Sequence, residues 1–121
     1  YIAPGGKHMR VVKKGTDYCI KLSDEPAIDG LRPCANVMYE SLEKCQYDEI
    51  TCVVLTGMGA DGTKGIQGLA AHHKKLHVIA QDADTCVVYG MPKAIAQTGL
   101  VDEVVPLGSV AETITKNVGV S

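Results

Sequence analysis

The stretch Ile50-Thr51-Cys52-Val53-Val54-Leu55-Thr56-Gly57-Met58-Gly59-Ala60-Asp61-Gly62 decides the fold of this chain. Its first half is a short, nearly all-apolar run, the pattern of a central parallel strand buried on both faces. Its second half is a glycine-rich loop. Beyond it, Ile66, Leu69, Ala70 and His73 fall on one side of a helix predicted over Thr63 to Lys74. The alternation then continues. His77 to Ala80 reads as a strand, and Gln81 to Tyr89 as a connection with a short helical turn. Pro92 to Thr98 reads as a helix, with Pro92 at a first helical position and Gly99 at its end. Glu103 to Val105 gives a last strand, and Ser109 with Glu112 forms a capping box for a helix running to about Val118. Strands and helices in this order imply crossovers. The expected fold is α/β, a doubly wound, mostly parallel sheet with flanking helices.

Upstream of the deciding stretch, Ala35, Met38, Leu42 and Cys45 recur at helical spacing, which predicts a helix from Ala35 to Gln46. Met9 to Val12 and Asp17 to Leu22 are extended runs around Lys14-Gly15. In the second run Tyr18, Ile20 and Leu22 alternate with polar or small residues, so a β-hairpin near the N-terminus is expected. Tyr1 to Ala3 reads as a strand end cut by Pro4-Gly5-Gly6, and Ser23 to Pro33 as loop. No repeat or linker divides the 121 residues, which make one domain or part of one.

Composition narrows the function classes. Hydrophobic residues make up 45% and charged residues 21%, too apolar for a disordered chain. A net charge of −2 leaves no basic excess for a nucleic-acid partner. The five cysteines, 19, 34, 45, 52 and 86, are odd in number and form no C-x-x-C pair, which points to reduced thiols in a cytoplasmic protein. No apolar run approaches the roughly 18 residues of a membrane span, so membrane insertion is not expected. Nor is a metal or other cofactor: His72 and His73 would point about 100° apart on a helix, a poor ligand pair. The chain opens on Tyr1-Ile2-Ala3-Pro4 rather than Met, and is expected to be a piece of a longer protein.

The glycine-rich loop sits where a doubly wound sheet gathers its chemistry, at a strand's C-terminal end. Gly57, Gly59 and Gly62 fit G-x-G-x-x-G, and Asp82 lies near the offset of about 20 residues expected for a ribose-binding acid, which reads as a dinucleotide fingerprint. Against it, Asp61 would set a carboxylate in a loop meant for a pyrophosphate. A second reading makes Asp61 the acid of a hydrolase triad, orienting a histidine, with glycines bringing backbone N–H groups near a reacting carbonyl. A third makes Asp61 the cap of the helix that starts nearby, the commonest use of an aspartate there. Spacing alone leaves all three open.

Four segments resemble the chemotaxis protein-glutamate methylesterase family: Tyr1-Ile2-Ala3-Pro4-Gly5-Gly6-Lys7-His8-Met9, Arg32-Pro33 with the following helix, Leu55 to Gly62, and Ala80-Gln81-Asp82 through Val87-Val88-Tyr89-Gly90-Met91-Pro92. The resemblance spans nearly the whole chain. It implies the C-terminal part of a catalytic domain that removes methyl esters from glutamates on chemoreceptor cytoplasmic helices, with deamidation of receptor glutamines as a companion activity. It further implies a Ser-His-Asp triad with its acid at Asp61, and an oxyanion hole helped by the backbone N–H of Met58. The serine and histidine of that family lie before the Tyr1 strand. None of Ser23, Ser41, Ser109 and Ser121, nor of His8, His72, His73 and His77, matches them, so the chain alone is expected to be inactive. A response-regulator domain of the same parent chain is the further implied partner.

His8, after its Pro-Gly-Gly turn, is read as a residue bordering the substrate groove, and Met91 as apolar wall beside the triad loop. Asp82 and Asp84 are read as turn caps. The resemblance also shows departures. Leu31 and Cys34 stand where the family has histidine and serine around Arg-Pro, and Asn36 where it has aspartate; these are expected to alter contacts at the site's edge. Self-association through surfaces left uncovered is expected as well. A dinucleotide-binding module and a non-catalytic interaction domain are the alternatives.

Overall fold

The computed structural model describes residues 1–72 and 75–119. A hairpin comes first, β1 (His8–Lys14) and β2 (Asp17–Ser23), paired antiparallel from His8↔Ser23 to Lys14↔Asp17. Gly15 closes its two-residue turn at φ +67°, a conformation glycine adopts without strain. The predicted face of β2 is more open than its alternation suggests: Ile20 and Leu22 are both exposed. Tyr1 to Ala3, expected to be a strand end, form no strand and pair with nothing among the described residues. A strand needs a neighbour to take its backbone groups, and here none is adjacent.

Helix α1 (Ala35–Leu42) packs against both β1 and helix α2 (Thr63–Ala71). It ends four residues before the predicted Gln46, because the chain tightens into a turn in which Cys45 N–H donates to Leu42 O. The last two residues of the predicted second helix, His73 and Lys74, lie outside the described residues. Strands β3 (Ile50–Val54), β4 (Leu76–Gln81) and β5 (Glu103–Val105) form a parallel sheet in the order β3-β4-β5. Two further helices flank it, α3 (Met91–Ala96) and α4 (Val110–Val118). The α/β fold with a parallel sheet and an N-terminal hairpin is as the sequence indicates.

One assignment changes. Ile50 to Val54 was expected to be central, yet among the described residues β4 holds that place and β3 pairs only with β4. Burial agrees: Val78, Ile79, Ala80 and Gln81 are all buried, whereas in β3 only Cys52 and Val54 are. An apolar run reports burial, not the number of strand neighbours. Cys52, Val54, Ile66, Val78, Ala80 and Ile95 form the core, into which Tyr39, Met91 and Leu100 pack. With no Phe or Trp, the core relies on small aliphatic side chains. Burial pushes the Cys52 thiol up to about 11, so it stays a neutral member of that core.

The predicted capping box does not form: Ser109 makes no side-chain cap, and its carbonyl accepts Thr113 Oγ1–H instead. The cause is local. A 3₁₀ turn over Leu107–Ser109 precedes α4 and leaves Ser109 near helical geometry (φ −105°, ψ −2°) rather than the extended form a capping residue needs. Pro92 does stand in the first turn of α3, and Gly99 follows that helix at φ +78°. Residues 81–89 contain a turn, with Cys86 N–H donating to Ala83 O, rather than a helix.

Candidate active site

The loop after β3 is tied down from three directions. Thr56 N–H donates to the side-chain oxygen of Gln81 at 2.7 Å, and Gln81 Nε2 donates to Thr85 O at 2.8 Å. Gln81 is fully buried, so its amide links the ends of β3 and β4 from inside. Thr56 Oγ1 donates to Val88 O, and Val88 N–H donates back to Thr56 Oγ1. Gly57 N–H donates to Val88 O at 3.0 Å, while Gly57 O accepts Gly90 N–H at 3.0 Å and Met91 N–H at 2.9 Å. This approach leaves little room on either side, and at Gly90 it is backbone that a side chain would meet. A Cβ on Gly57 would lie 2.5 Å from Met91 Sδ, and one on Gly90 would lie 2.7 Å from Gly57 O. Met91 therefore packs beneath the loop against the core and lines neither depression beside Asp61, while Met58 at the loop's tip is 86% exposed.

Asp61 closes the loop, and its carboxylate is bound by the next helix over. Oδ2 accepts Ala35 N–H at 2.7 Å; Oδ1 accepts Asn36 N–H at 3.1 Å and the Cys34 thiol at 3.2 Å. Asp61 does cap a helix, but it caps α1 rather than α2, the one that starts beside it. The first-turn amides of α1 have no acceptor within their own helix, and the carboxylate supplies one. Burial first, and then the neighbouring carboxylate, push the Cys34 thiol up, which keeps it a donor. Cys34 and Asn36 were expected at the edge of the site. Both instead touch the Asp61 carboxylate directly, which spacing could not reveal because 25 to 27 residues separate the partners.

Asp61 stands between two open depressions. One, of about 560 Å³, is lined by Ile28, Leu31, Met58, Asp61, Lys64 and Gln67, among others. The other, of about 280 Å³, is lined by Ala3, Met9, Pro33, Met38 and Asp61, among others. His8 borders neither. It is buried at the start of β1, where its Nε2–H donates to Pro26 O at 2.9 Å and ties down the loop after β2. Asp82 caps a turn, accepting Thr85 N–H at 3.0 Å and Thr85 Oγ1–H at 2.6 Å. Among the described residues no group of three or more His, Cys, Asp or Glu side chains could hold a metal ion. No described helix is long and apolar enough to cross a membrane.

The dinucleotide reading meets a direct obstacle. The amides a pyrophosphate would need at the start of α2, those of Gly62 and Gly65, are already donated to Asn36 Oδ1 at 3.0 and 2.8 Å. A glycine pattern by itself does not reveal that its amides are spoken for.

The family model described as CheB methylesterase matches residues 1–114. A protein-glutamate methylesterase/protein-glutamine glutaminase of Desulfotalea psychrophila is 44% identical over 120 residues, covering 98% of this chain and 32% of the relative. One of the same name from Oceanobacillus iheyensis is 44% identical over 117 residues, covering 96% and 33%. The crystal structure of the Thermotoga maritima CheB methylesterase catalytic domain superposes with a TM-score of 0.87 at 33% identity, covering 96% of this chain and 60% of that one. The chain thus spans about a third of the length of the curated relatives it matches.

Proposed function

The chain belongs to the CheB methylesterase family, and from that premise we propose that it supplies the acid of a Ser-His-Asp hydrolase whose parent protein demethylates glutamate methyl esters on chemoreceptor helices. The carrying observation is the state of the Asp61 carboxylate. A carboxylate offers about four acceptor sites. Among the described residues three donors bind it, two on Oδ1 and one on Oδ2, so Oδ2 keeps a site for an imidazole N–H. Fixed at both oxygens, Asp61 can hold a histidine in one tautomer and orientation and stabilise it once charged, the role of a triad acid.

The loop supports the oxyanion role of Met58. Its peptide with Gly57 is planar and trans, so the carbonyl and the N–H point opposite ways. Because Gly57 O is held by Gly90 and Met91, the Met58 N–H is aimed away from that anchor. Such a preset donor can meet the charge that develops on an ester oxygen. In this reading the serine and histidine come from another segment of the parent, which also carries a response-regulator domain. The parent works in the cytoplasm on receptor helices, and glutamine deamidation uses the same centre.

The test is Asp61→Asn in the parent protein, with methanol release from a glutamyl methyl ester peptide as the assay. Turnover is expected to fall by about 10⁴. Wild-type turnover would remove the assignment and leave the non-catalytic interaction reading in its place. The chain of 121 residues alone is expected to release no methanol. Of its described serines, Ser23 bonds with Arg10 and Glu25, and Ser41 with Val11 and Met38.

A further inference from the structure

Helices α1 and α2 hold each other's N-termini. Neither is capped by its own N-cap side chain, Cys34 for α1 and Gly62 for α2. The donors are exchanged instead. Asp61, just before α2, receives Ala35 N–H and Asn36 N–H from α1. Asn36, within the first turn of α1, returns its side-chain Oδ1 to Gly62 N–H and Gly65 N–H of α2. The result is a closed ring that runs from the residue 36 backbone through the carboxylate of residue 61, the backbone of residue 62 and the amide of residue 36. Gly65 lets the helices come this close: a Cβ there would stand 2.6 Å from Tyr39 Cβ and 3.1 Å from Asn36 Cα.

We propose that Asn36 is a positioning residue for Asp61, fixing through the Gly62 and Gly65 amides which carboxylate oxygen meets the histidine. This rests on the reading of Asp61 as triad acid. The Asp61 side chain is anchored to α1, but its backbone belongs to the start of α2. Packing brings α1 against α2, and the Asn36 amide oxygen is the hydrogen-bonded tie that holds the start of α2 in register with α1. Release of Gly62 and Gly65 lets Asp61 rotate, so that the open site on Oδ2 no longer faces one direction. An amide suits the position because it accepts two N–H groups without adding charge beside the carboxylate. An aspartate there would accept the same two bonds and place a second negative charge in the site.

That difference provides the experiment, made in the parent protein with methanol release from a glutamyl methyl ester peptide. Asn36→Ala is expected to lower kcat by about 10- to 100-fold with KM within about twofold, the signature of misplacement rather than lost binding. Asn36→Asp should restore kcat to within about threefold and move the acid limb of the pH–rate profile upward by about half a unit, because added negative charge favours the imidazolium. Wild-type kcat in Asn36→Ala, or an Asn36→Asp protein as slow as Asn36→Ala, overturns the proposal. Should Asn36→Ala fail to fold, Asn36→Asp decides alone: a retained rate with a displaced limb supports it, and an unmoved limb sinks it. Asp61→Asn separates the two ideas. If it keeps full turnover, the triad reading itself fails; if it is dead while Asn36→Ala runs at full rate, only the role of Asn36 fails.

Discussion

At the scale of the residue, Asp61 caps α1 and is proposed as a triad acid, and the two roles make different predictions. As the cap of α1 it contributes stability, and Asp61→Asn presents an N–H₂ group to amides that need an acceptor. Loss of a capping side chain costs about 1 kcal/mol, so urea unfolding of Asp61→Asn should show a reduced midpoint at unchanged slope. As a triad acid its loss acts on rate far beyond that cost. A second residue with a sharp prediction is Gly90. An added Cβ would meet the backbone at Gly57 O (2.7 Å) and Gly59 N (2.9 Å), which cannot move aside as a flexible side chain can. Gly90→Ala should therefore destabilise the chain by about 1–3 kcal/mol and, in the parent, depress turnover, because it displaces the carbonyl that aims the Met58 N–H. Asp61 stood out in the sequence as a candidate, since it lies in a nearly contiguous motif. Its ligands were not. Capping partners in a neighbouring helix depend on how two helices pack, and nothing in the spacing of Asp61 from Gly57 encodes the approach of Ala35 and Asn36.

At the scale of the element, periodicity and helix-end signals located the four α-helices and five strands of the described residues, and erred mainly at ends and caps. Helix α1 stops early and Ser109 fails to cap because the flanking turns fix backbone angles that side-chain spacing does not report. The far edge of the sheet has a cluster that the sequence reading left unremarked. His77 Nε2 lies 2.7 Å from Glu103 Oε2, which also accepts Asn117 Nδ2–H at 2.9 Å, joining β4, β5 and α4. These two partners, Asn117 first, hold the Glu103 carboxyl below its ordinary value. A depressed carboxylate stabilises the fold above its unfolded pKa and loses that contribution as pH falls through the folded one. Acidification from roughly pH 5 to pH 3 should thus lower the thermal midpoint less in Glu103→Gln than in the wild-type chain. An equal decline in both would assign the acid sensitivity to other groups.

At the scale of the whole molecule, the described residues leave apolar surface open around the loops at the C-terminal ends of the strands. Val87 is 91% exposed, and Leu55, Val88 and Tyr89 join it. Among the described residues strand β3 also pairs on one side only. Open edges and apolar patches favour association, so sedimentation velocity should show a mass that rises with the concentration of this chain, and Val87→Lys should reduce it. A monomer at all concentrations would count against this. The sequence by itself determined the α/β class, the hairpin and the glycine-rich turn after β3, because alternation, helical spacing and turn chemistry are properties of neighbouring residues; the candidate acid came from the family resemblance. Tertiary structure alone decided that β4 is central among the described strands, that Met91 lies beneath the loop, and that His8 is buried with its ring bonded to Pro26 O. It also decided that Asp61 and Asn36 cap each other's helices. A period shows which face of an element is apolar, but not what will pack against it, and the bonds that hold this site join residues 25 to 29 positions apart.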